Sequence, residues 1–575
     1  MRELAACGVL ILLLSLAAPA ATQVIPPQPV PEVAAGFTLA PLAAMPAPTA
    51  ITWGPGGDDG PDLYATTLTG DVWQAQLLWT IAGPIVTGIE TYATGFGQPL
   101  GLAFVGDRLA VADSHGYEDH ADYSSAGRVT LLHEGGGDQT TGTVIVDGLP
   151  QGQHNVNNLR VGPDRRLYLP NGNPNDQGTG TGTGHPDAFP LTGAFLSVDV
   201  DQVAASPAIL RWNDAGGNDI APGDLALHPG NADFMGKVDV FAHGFRNIYD
   251  IAFAPDHLPF GGEAYTGTNG ADDPASQDLL YQIEAGADHG FPYCTNSGPS
   301  GGVGDDIAVG DSPAVPAALP PGPDCATVPK ATANLGWHVC ATGLDFPTAT
   351  GNWAFPDSHQ QSVYVGECGP FDPFSVASNS LADPANASHN TGHKVVRVAL
   401  DENGEAMEVK DFVSGIPLPL DVLFGPDGAL YIANANGVSR VAPVVPAGTD
   451  GPLVGDLPVP DPGVPLPPLP EPPAANEVTV AAALFSFLSP VVAVPAGTTV
   501  VWDGLLLGHT VTTTTEIGGT TYDTPPGPDS FNEPLPQGGE VRHTYETPGI
   551  FNYYCIPHAA VGMVGVVVVT DDPMG

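Results

Sequence analysis

Hydrophobic and polar positions alternate in short runs along most of the chain, and Pro, Asp or Gly closes each run. Six stretches share one form: AITWGPGGDDGPDLYATT (50–67), GLAFVGDRLAVAD (101–113), NLRVGPDRRLYLPNG (158–172), DIAFAPDHLPFGGEAYTG (250–267), GLDFPTATGNWAFPDSHQQSVYVGE (343–367) and DVLFGPDGALYIANANG (421–437). Each is an alternating strand, a turn, and a second strand. A side-chain period of two broken by turn residues predicts a β-hairpin. Six copies at spacings of roughly 50–90 residues predict a six-bladed β-propeller with one hairpin per blade. Polar insertions such as NPNDQGTGTGTGHPD (173–187) are expected as loops on one face.

The pattern then changes. PLVGDLPVPDPGVPLPPLPEPP (452–473) is too rich in proline for either period and predicts an extended, semi-rigid spacer. Beyond it, EVTVAAALFSF, TTVVWDGLLLGHTVTTTT, VRHTYETPGIFNYYC and VGMVGVVVVT alternate strongly, the pattern of a small β-sandwich. The expected fold class is therefore all-β: a propeller over 36–445, a Pro-rich linker over 446–476 and a sandwich over 477–571. Abundant glycine (73) and proline (62) agree with many short strands and turns. The start, MRELAACGVLILLLSLAAPA, has a cationic residue, an apolar stretch and Ala18-Pro19-Ala20, so residues 1–20 are expected to be a secretory signal cleaved after Ala20. Cys7 precedes the apolar stretch and is expected to leave with it. No later apolar run reaches about 18 residues, so no membrane span is expected. A secreted, periplasmic or cell-surface location follows.

Charge narrows the partners. A net charge of −48 argues against nucleic acid and anionic membranes, which need a basic footprint. The surface fits a high-salt environment or an ordinary acidic exported protein equally well. Export permits disulfides. Cys294, Cys325, Cys340 and Cys368 allow three pairings, of which Cys294–Cys325 with Cys340–Cys368 is the expected one.

Cys555 remains, inside YYCIPHAAVGM (553–563), where Cys-x2-His-x4-Met places Cys555, His558 and Met563 on one loop. His509 ends an upstream strand. Two imidazoles, a thiolate and a weak thioether form the ligand set of a mononuclear electron-transfer copper. The bland reading is a buried free cysteine beside unrelated histidines. One cysteine with a methionine is a poor zinc set, and a binuclear copper centre needs a second cysteine in the loop. The region resembles the plastocyanin and halocyanin group of cupredoxins over its whole length, which implies that His509, Cys555, His558 and Met563 hold copper. His543 reads as a strand residue. Leu505–Leu507 read as core or as a docking patch for a redox partner.

A copper domain stores one electron and makes none. In the propeller the scarce cations stand out: Arg246-Asn247 in HGFRNIYDIAFAPD (243–256) and Lys394 and Arg397 in TGHKVVRVALDENG (391–404), with His154 in GQHNVNNLRVGPDRRLYLPNGN (152–173). A cofactor carrying carboxylates and quinone oxygens wants such cations and a histidine base. With DLLYQIEAGADHGFPYC (278–294) and PLDVLFGPDGALYIAN (419–434), these residues resemble the glucose/sorbosone dehydrogenases, in the sorbosone dehydrogenase-like branch, over roughly 36–442. The resemblance implies a propeller that uses pyrroloquinoline quinone assisted by calcium. It implies His154 as general base and Arg246, Asn247 and Lys394 as cofactor holders. It departs from the family at IPLPLDV (416–422), which lacks an arginine, at Asn173 in place of an aspartate, at the displaced Gln98, and at Ile248 after Arg-Asn.

The structural alternatives are a His154 that bonds a loop and cations that pair with surplus carboxylates. DSHGYEDHADYSS (113–125) and GPGGDDGPD (54–62) read as solvated loops or as metal loops. The expectation is an exported quinoprotein dehydrogenase that oxidises a sugar, polyol or related alcohol or aldehyde and feeds its own copper domain, which passes electrons to a downstream redox protein or other acceptor. The rival is a non-enzymatic copper carrier on a binding propeller. Convergence of His154, Arg246 and Lys394 on one pocket favours the enzyme.

Overall fold

A computed structural model describes residues 31–444 apart from 57–59, 81–82, 117–124, 133–136, 139–140, 153, 175–189, 270–276, 313–321, 338 and 370–391. It also describes 477–570 apart from 484–485, 488–490, 505–508, 514–515, 518–519, 522–530, 548 and 556–563.

Six sheets of four or five strands, antiparallel except for a parallel outermost strand in the first two blades, follow one another along residues 32–443, with a separate two-stranded sheet of Cys294–Ser297 and Ala308–Asp311. Their innermost strands are Pro48–Trp53, Gly101–Val105, Arg160–Val161, Asn247–Ile248 with Ala252–Phe253, Ala341–Asp345 and Asp421–Phe424. Each touches the inner part of the next sheet, and the sixth returns to the first, so the sheets form a closed ring of blades. The six hairpins read from the sequence are the two inner strands of the six blades. A middle strand lies between neighbouring blades and is covered on both faces, which is why Leu430–Asn434 (LYIAN) is buried throughout. The outer strand Val72–Thr80 alternates buried and exposed positions because one face meets water.

The ring closes by strand exchange. Phe37–Ala43, from the start of the chain, pairs with Gly437–Pro443 and completes the sixth sheet. A polar cluster on the axis ties the blades from within. Arg160 of blade 3 donates to Asp250 of blade 4 at 2.6 Å and to Asp421 of blade 6 at 3.2 Å. Asp421 also accepts from Ile51 N of blade 1 at 2.8 Å, and Asp250 from Leu344 N of blade 5 at 3.2 Å. Burial raises the Asp421 carboxyl above the usual carboxylate range, against the pull of Arg160. Both expected disulfides are present, Cys294–Cys325 and Cys340–Cys368.

The meander gives the propeller two ends. The upper end carries 152, 154–158, 171–173, 191–193, 244–247, 339–341, 367–369 and 392–394. The lower end carries 54–56, 60–62 and 346–361, Thr80 and Gly83, and both places where the chain enters and leaves the ring, near Phe37 and Pro443.

Residues 477–570 form two main sheets, one of four and one of five strands, and a two-stranded sheet of Glu516–Ile517 with Thr520–Thr521. Trp502, Tyr545, Tyr553, Val511 and Cys555 pack between them, a sandwich core. His543 lies on the strand Glu540–Tyr545, stacked on Phe531 with ring centroids 4.6 Å apart. Several expectations lie outside the described residues: the signal segment with Cys7, the linker 446–476, most of the 173–187 insertion, Leu505–Leu507, and parts of both candidate metal loops. Of the first metal loop, His115 is described, and its Nε2 meets Asp147 at 2.7 Å. Among the described residues, no helix is long and apolar enough to cross a membrane.

Candidate active site and metal centre

In the sandwich, His509 opens the strand His509–Thr512, where the sequence pattern had placed it at a strand's end, and Cys555 follows the strand Gly549–Tyr554. Pairing of Thr512 with Tyr554 brings the two strand ends together. Cys555 is fully buried and its Sγ stands 3.6 Å from His509 Nδ1. A metal about 2.0 Å from a nitrogen and about 2.3 Å from a sulfur fits that separation. The Thr510 N–H points at the same sulfur, 3.4 Å away, and an N–H dipole there stabilises a thiolate. A buried thiol between an imidazole and an amide proton therefore fits a metal-bound thiolate. His558 and Met563 lie outside the described residues.

At the upper end of the propeller, His154 is wholly buried. Its Nδ1 meets the carbonyl of Asn173 at 2.6 Å, which sets Nδ1 as the protonated nitrogen and leaves the lone pair on Nε2. Nε2 has no hydrogen-bond partner among the described residues. Burial, and then the Arg246 guanidinium, hold the ring well below the usual histidine pKa, so it stays neutral. Arg246 reaches this place because its carbonyl accepts from Asn173 N at 2.7 Å, the same residue that orients His154.

Gly172 lets the pieces meet. A Cβ on it would stand 2.4 Å from His154 Cβ and 2.7 Å from Asn247 Oδ1. Asn247 is held at both ends of its amide, accepting from Asn157 Nδ2 at 3.1 Å and donating to Asn269 Oδ1 at 2.8 Å. Asn269 in turn donates to the Ala341 carbonyl of blade 5 at 3.0 Å.

The structure thus brings His154, Arg246 and Asn247 together. Lys394 lies at the same end but on the third strand out from the axis of blade 5. Its ammonium donates to Asp411 at 2.7 Å and stands 3.5 Å from Glu367 Oε2. Neither oxygen of Glu367 has a hydrogen bond among the described residues, so the second contact is an ion pair without hydrogen-bond geometry. Burial pushes Glu367 up to about 8, with Lys394 opposing.

Other buried polar groups escaped the sequence reading. Gln151 is fully buried with neither end of its amide bonded, and the Ser114, Asn171 and Thr192 side-chain oxygens are also unpartnered among the described residues. A Cβ on Gly127, which pairs with Ser114, would stand 2.4 Å from Gln151 Nε2, which places these groups between blades 2 and 3. Each unmet buried group costs about 1–3 kcal/mol, so this end of the ring is built to be met by water or a polar ligand. Only the position of Gln151, three before His154, hinted at it. Among the described residues no group of three or more His, Cys, Asp or Glu side chains is set to hold a metal.

Comparison with known proteins agrees with both folds. Residues 474–570 match the model of the copper binding proteins, plastocyanin/azurin family. The solved structure of Trichoderma reesei Carbohydrate-Active Enzymes Family AA12 is similar at TM-score 0.50 and 15% identity, over 74% of this chain and 100% of that one. A putative oxidoreductase (glucose dehydrogenase) from Thermus thermophilus is similar at TM-score 0.44 and 18% identity, over 71% of this chain and 100% of that one. Amicyanin from Paracoccus versutus shares 26% identity over 17% of this chain and 84% of its own length, at TM-score 0.13. No curated protein matches the chain. The C-terminal sandwich is a copper-binding domain of the plastocyanin/azurin type, and the first of these structural similarities shows a shared fold for the propeller.

Proposed function

We propose that this chain is an exported dehydrogenase of sugars, polyols or related alcohols or aldehydes that delivers electrons to its own copper domain. The observation that carries the reading is His154: a buried, neutral imidazole with Nδ1 anchored on a carbonyl and Nε2 unpartnered, beside a buried arginine. A neutral imidazole with one nitrogen anchored and the other unpartnered has the lone pair that a hydroxyl proton needs. Pyrroloquinoline quinone, when bound, supplies the two-electron hydride acceptor, and copper supplies a one-electron store.

The chain's own residues then divide the labour. His154 Nε2 would take the proton of a substrate hydroxyl, and the two electrons and hydrogen left on its carbon are what a bound hydride acceptor would have to accept to leave a carbonyl compound. Arg246 would hold a carboxylate of the cofactor. Asn247, engaged at both ends of its amide, braces the Arg246 loop against Asn157 and Asn269. Lys394 is held by Asp411 beside buried Glu367 one blade further on. In the copper domain, His509 and Cys555 are ligands, with His558 and Met563 completing the set by the resemblance. Cys555, bonded by the Thr510 amide, keeps its sulfur charged. A second reading, a copper carrier on a binding propeller, draws on Lys394 and Asn247 being spoken for by protein groups.

The test is a visible absorbance spectrum of copper-loaded protein, before and after adding quinone, calcium and a panel of sugars and polyols. A thiolate-to-copper band that bleaches only with quinone and a substrate supports the dehydrogenase. A band that never bleaches moves the assignment to the second reading. The Cys555→Ser variant is expected to lack the band altogether, and no band in the wild-type protein would overturn the copper site.

A further inference from the structure

The segment 287–291, which follows the third strand of blade 4, runs beside the residues that lead to Arg246. His243 and Asp288 form a parallel bridge there. His243 N donates to the Ala287 carbonyl at 3.1 Å, His289 N to the His243 carbonyl at 2.8 Å, and Phe291 N to the Gly244 carbonyl at 2.8 Å. The approach is close: a Cβ on Gly244 would stand 2.6 Å from His289 N. A side chain joins the two segments as well. The His289 ring stacks on Phe245, with centroids 4.3 Å apart and planes 25° from parallel, and Tyr281 meets it edge-on with centroids 5.2 Å apart.

His289 is 3% exposed, and neither of its nitrogens has a hydrogen bond among the described residues. Burial, and then the nearby His243, lower its pKa to about 3, so the ring is neutral. His243 in turn faces Asp288, 3.7 Å away. Without a hydrogen bond or a charge, what this imidazole contributes is its flat face, and offset-stacked rings hold a preferred geometry. Phe245 is fixed further by its amide, which donates to the Gly193 carbonyl at 3.0 Å, and by edge contacts with Phe195 and Tyr281. Arg246 comes next in the chain. On its far side, Asn173 holds its carbonyl and Asn247 is braced at both ends of its amide, so the anchored Phe245 supplies the near support of its Cα.

We propose that His289 is a positioning residue: through its stack on Phe245 it holds Arg246 beside His154, where the guanidinium would receive a cofactor carboxylate. The cofactor contact rests on the dehydrogenase reading; the placement of Arg246 against His154 does not. Among the described residues, the charge that bears on His154 is that of Arg246, and the groups about it, the Asn173 carbonyl, Gly172 and Asn247 beyond Gly172, are neutral. Displacing the guanidinium removes a repulsion on the protonated imidazole, so His154 would take a proton at a higher pH.

Two measurements on the copper-loaded full chain test this. Binding of pyrroloquinoline quinone is read by equilibrium dialysis with calcium present. Protonation of His154 is read by NMR of carbon-labelled histidine in the reduced protein, the signal being assigned by its absence in His154→Gln. His289→Ala removes the ring, His289→Leu fills the space without a flat face, and His289→Phe keeps the face without the nitrogens. The alanine and leucine variants are expected to bind the quinone about tenfold more weakly, the effect of losing one charge-assisted hydrogen bond, and to protonate His154 at a higher pH than the wild type. The phenylalanine variant is expected to match the wild type in both. A folded leucine variant with wild-type quinone affinity and wild-type His154 titration would overturn the proposal. So would a phenylalanine variant that behaves like the leucine one, because a nitrogen and not the ring face would then be at work. If the wild type itself binds no quinone, the dehydrogenase reading fails, and the His154 titration alone decides whether His289 positions Arg246.

Discussion

His154 and Glu367 are both buried ionisable groups at the same end of the ring, yet only one was legible in the sequence. Histidine beside Asn and Gly in a cation-poor chain attracts notice, whereas Glu367 is one of 63 acidic residues and nothing local marks it. Its burial arises from blade 4 covering blade 5, a contact between distant segments. For His154→Gln, substrate-driven bleaching of the copper band is expected to slow by about 10²–10⁴-fold, with the band itself intact before substrate is added. For Glu367 the sign follows from its carboxyl rising from an ordinary 4.5 to about 8. The folded state prefers the protonated acid, so that contribution is full below about pH 4.5 and is lost as pH rises through about 8. Glu367→Gln keeps a neutral side chain at all pH, while Lys394 retains Asp411. The variant's melting temperature is therefore expected to fall less than the wild type's between pH 5 and 8, with a difference of up to about 4 kcal/mol in stability at the upper limit.

The hairpins were readable because their side-chain period and turns are local. The six sequence copies became the two inner strands of six blades, which are the positions most constrained by burial. Outer strands were not read: Val72–Thr80 and Gly83–Thr94 vary in pattern because water covers one face. The pairing Cys340–Cys368 was one of three open at the sequence level and became settled once the first two strands of blade 5 lay side by side. The Cys340–Cys368 bridge spans 28 residues of chain, and closing a loop of this size is worth about 2–4 kcal/mol. Replacing both cysteines by alanine is expected to lower the denaturant midpoint accordingly, with the copper band unchanged, because Cys555 sits in a separate core.

At the scale of the whole molecule, the proposed reaction depends on the propeller and the copper domain being parts of one chain. If residues 446–476 are cut at an inserted protease site, electron delivery in the proposed reaction becomes a two-body process. At micromolar protein its rate is expected to fall by about 10²–10³-fold and to depend on concentration, because a millimolar effective concentration is lost. A rate unchanged by cutting would mean that the copper domain is reduced from another source. Fold class and hairpin count were carried by local pattern, since period and turn chemistry are short-range properties of the chain. What the folded ring alone decided is which distant groups meet. Asn173 orients His154 while binding the Arg246 loop, Lys394 is drawn to Glu367 and Asp411 instead of to His154, Asp421 and Asp250 gather on Arg160, and the first strand completes the last sheet. These are contacts across tens to hundreds of residues, and their energies come from burial that no window of sequence contains.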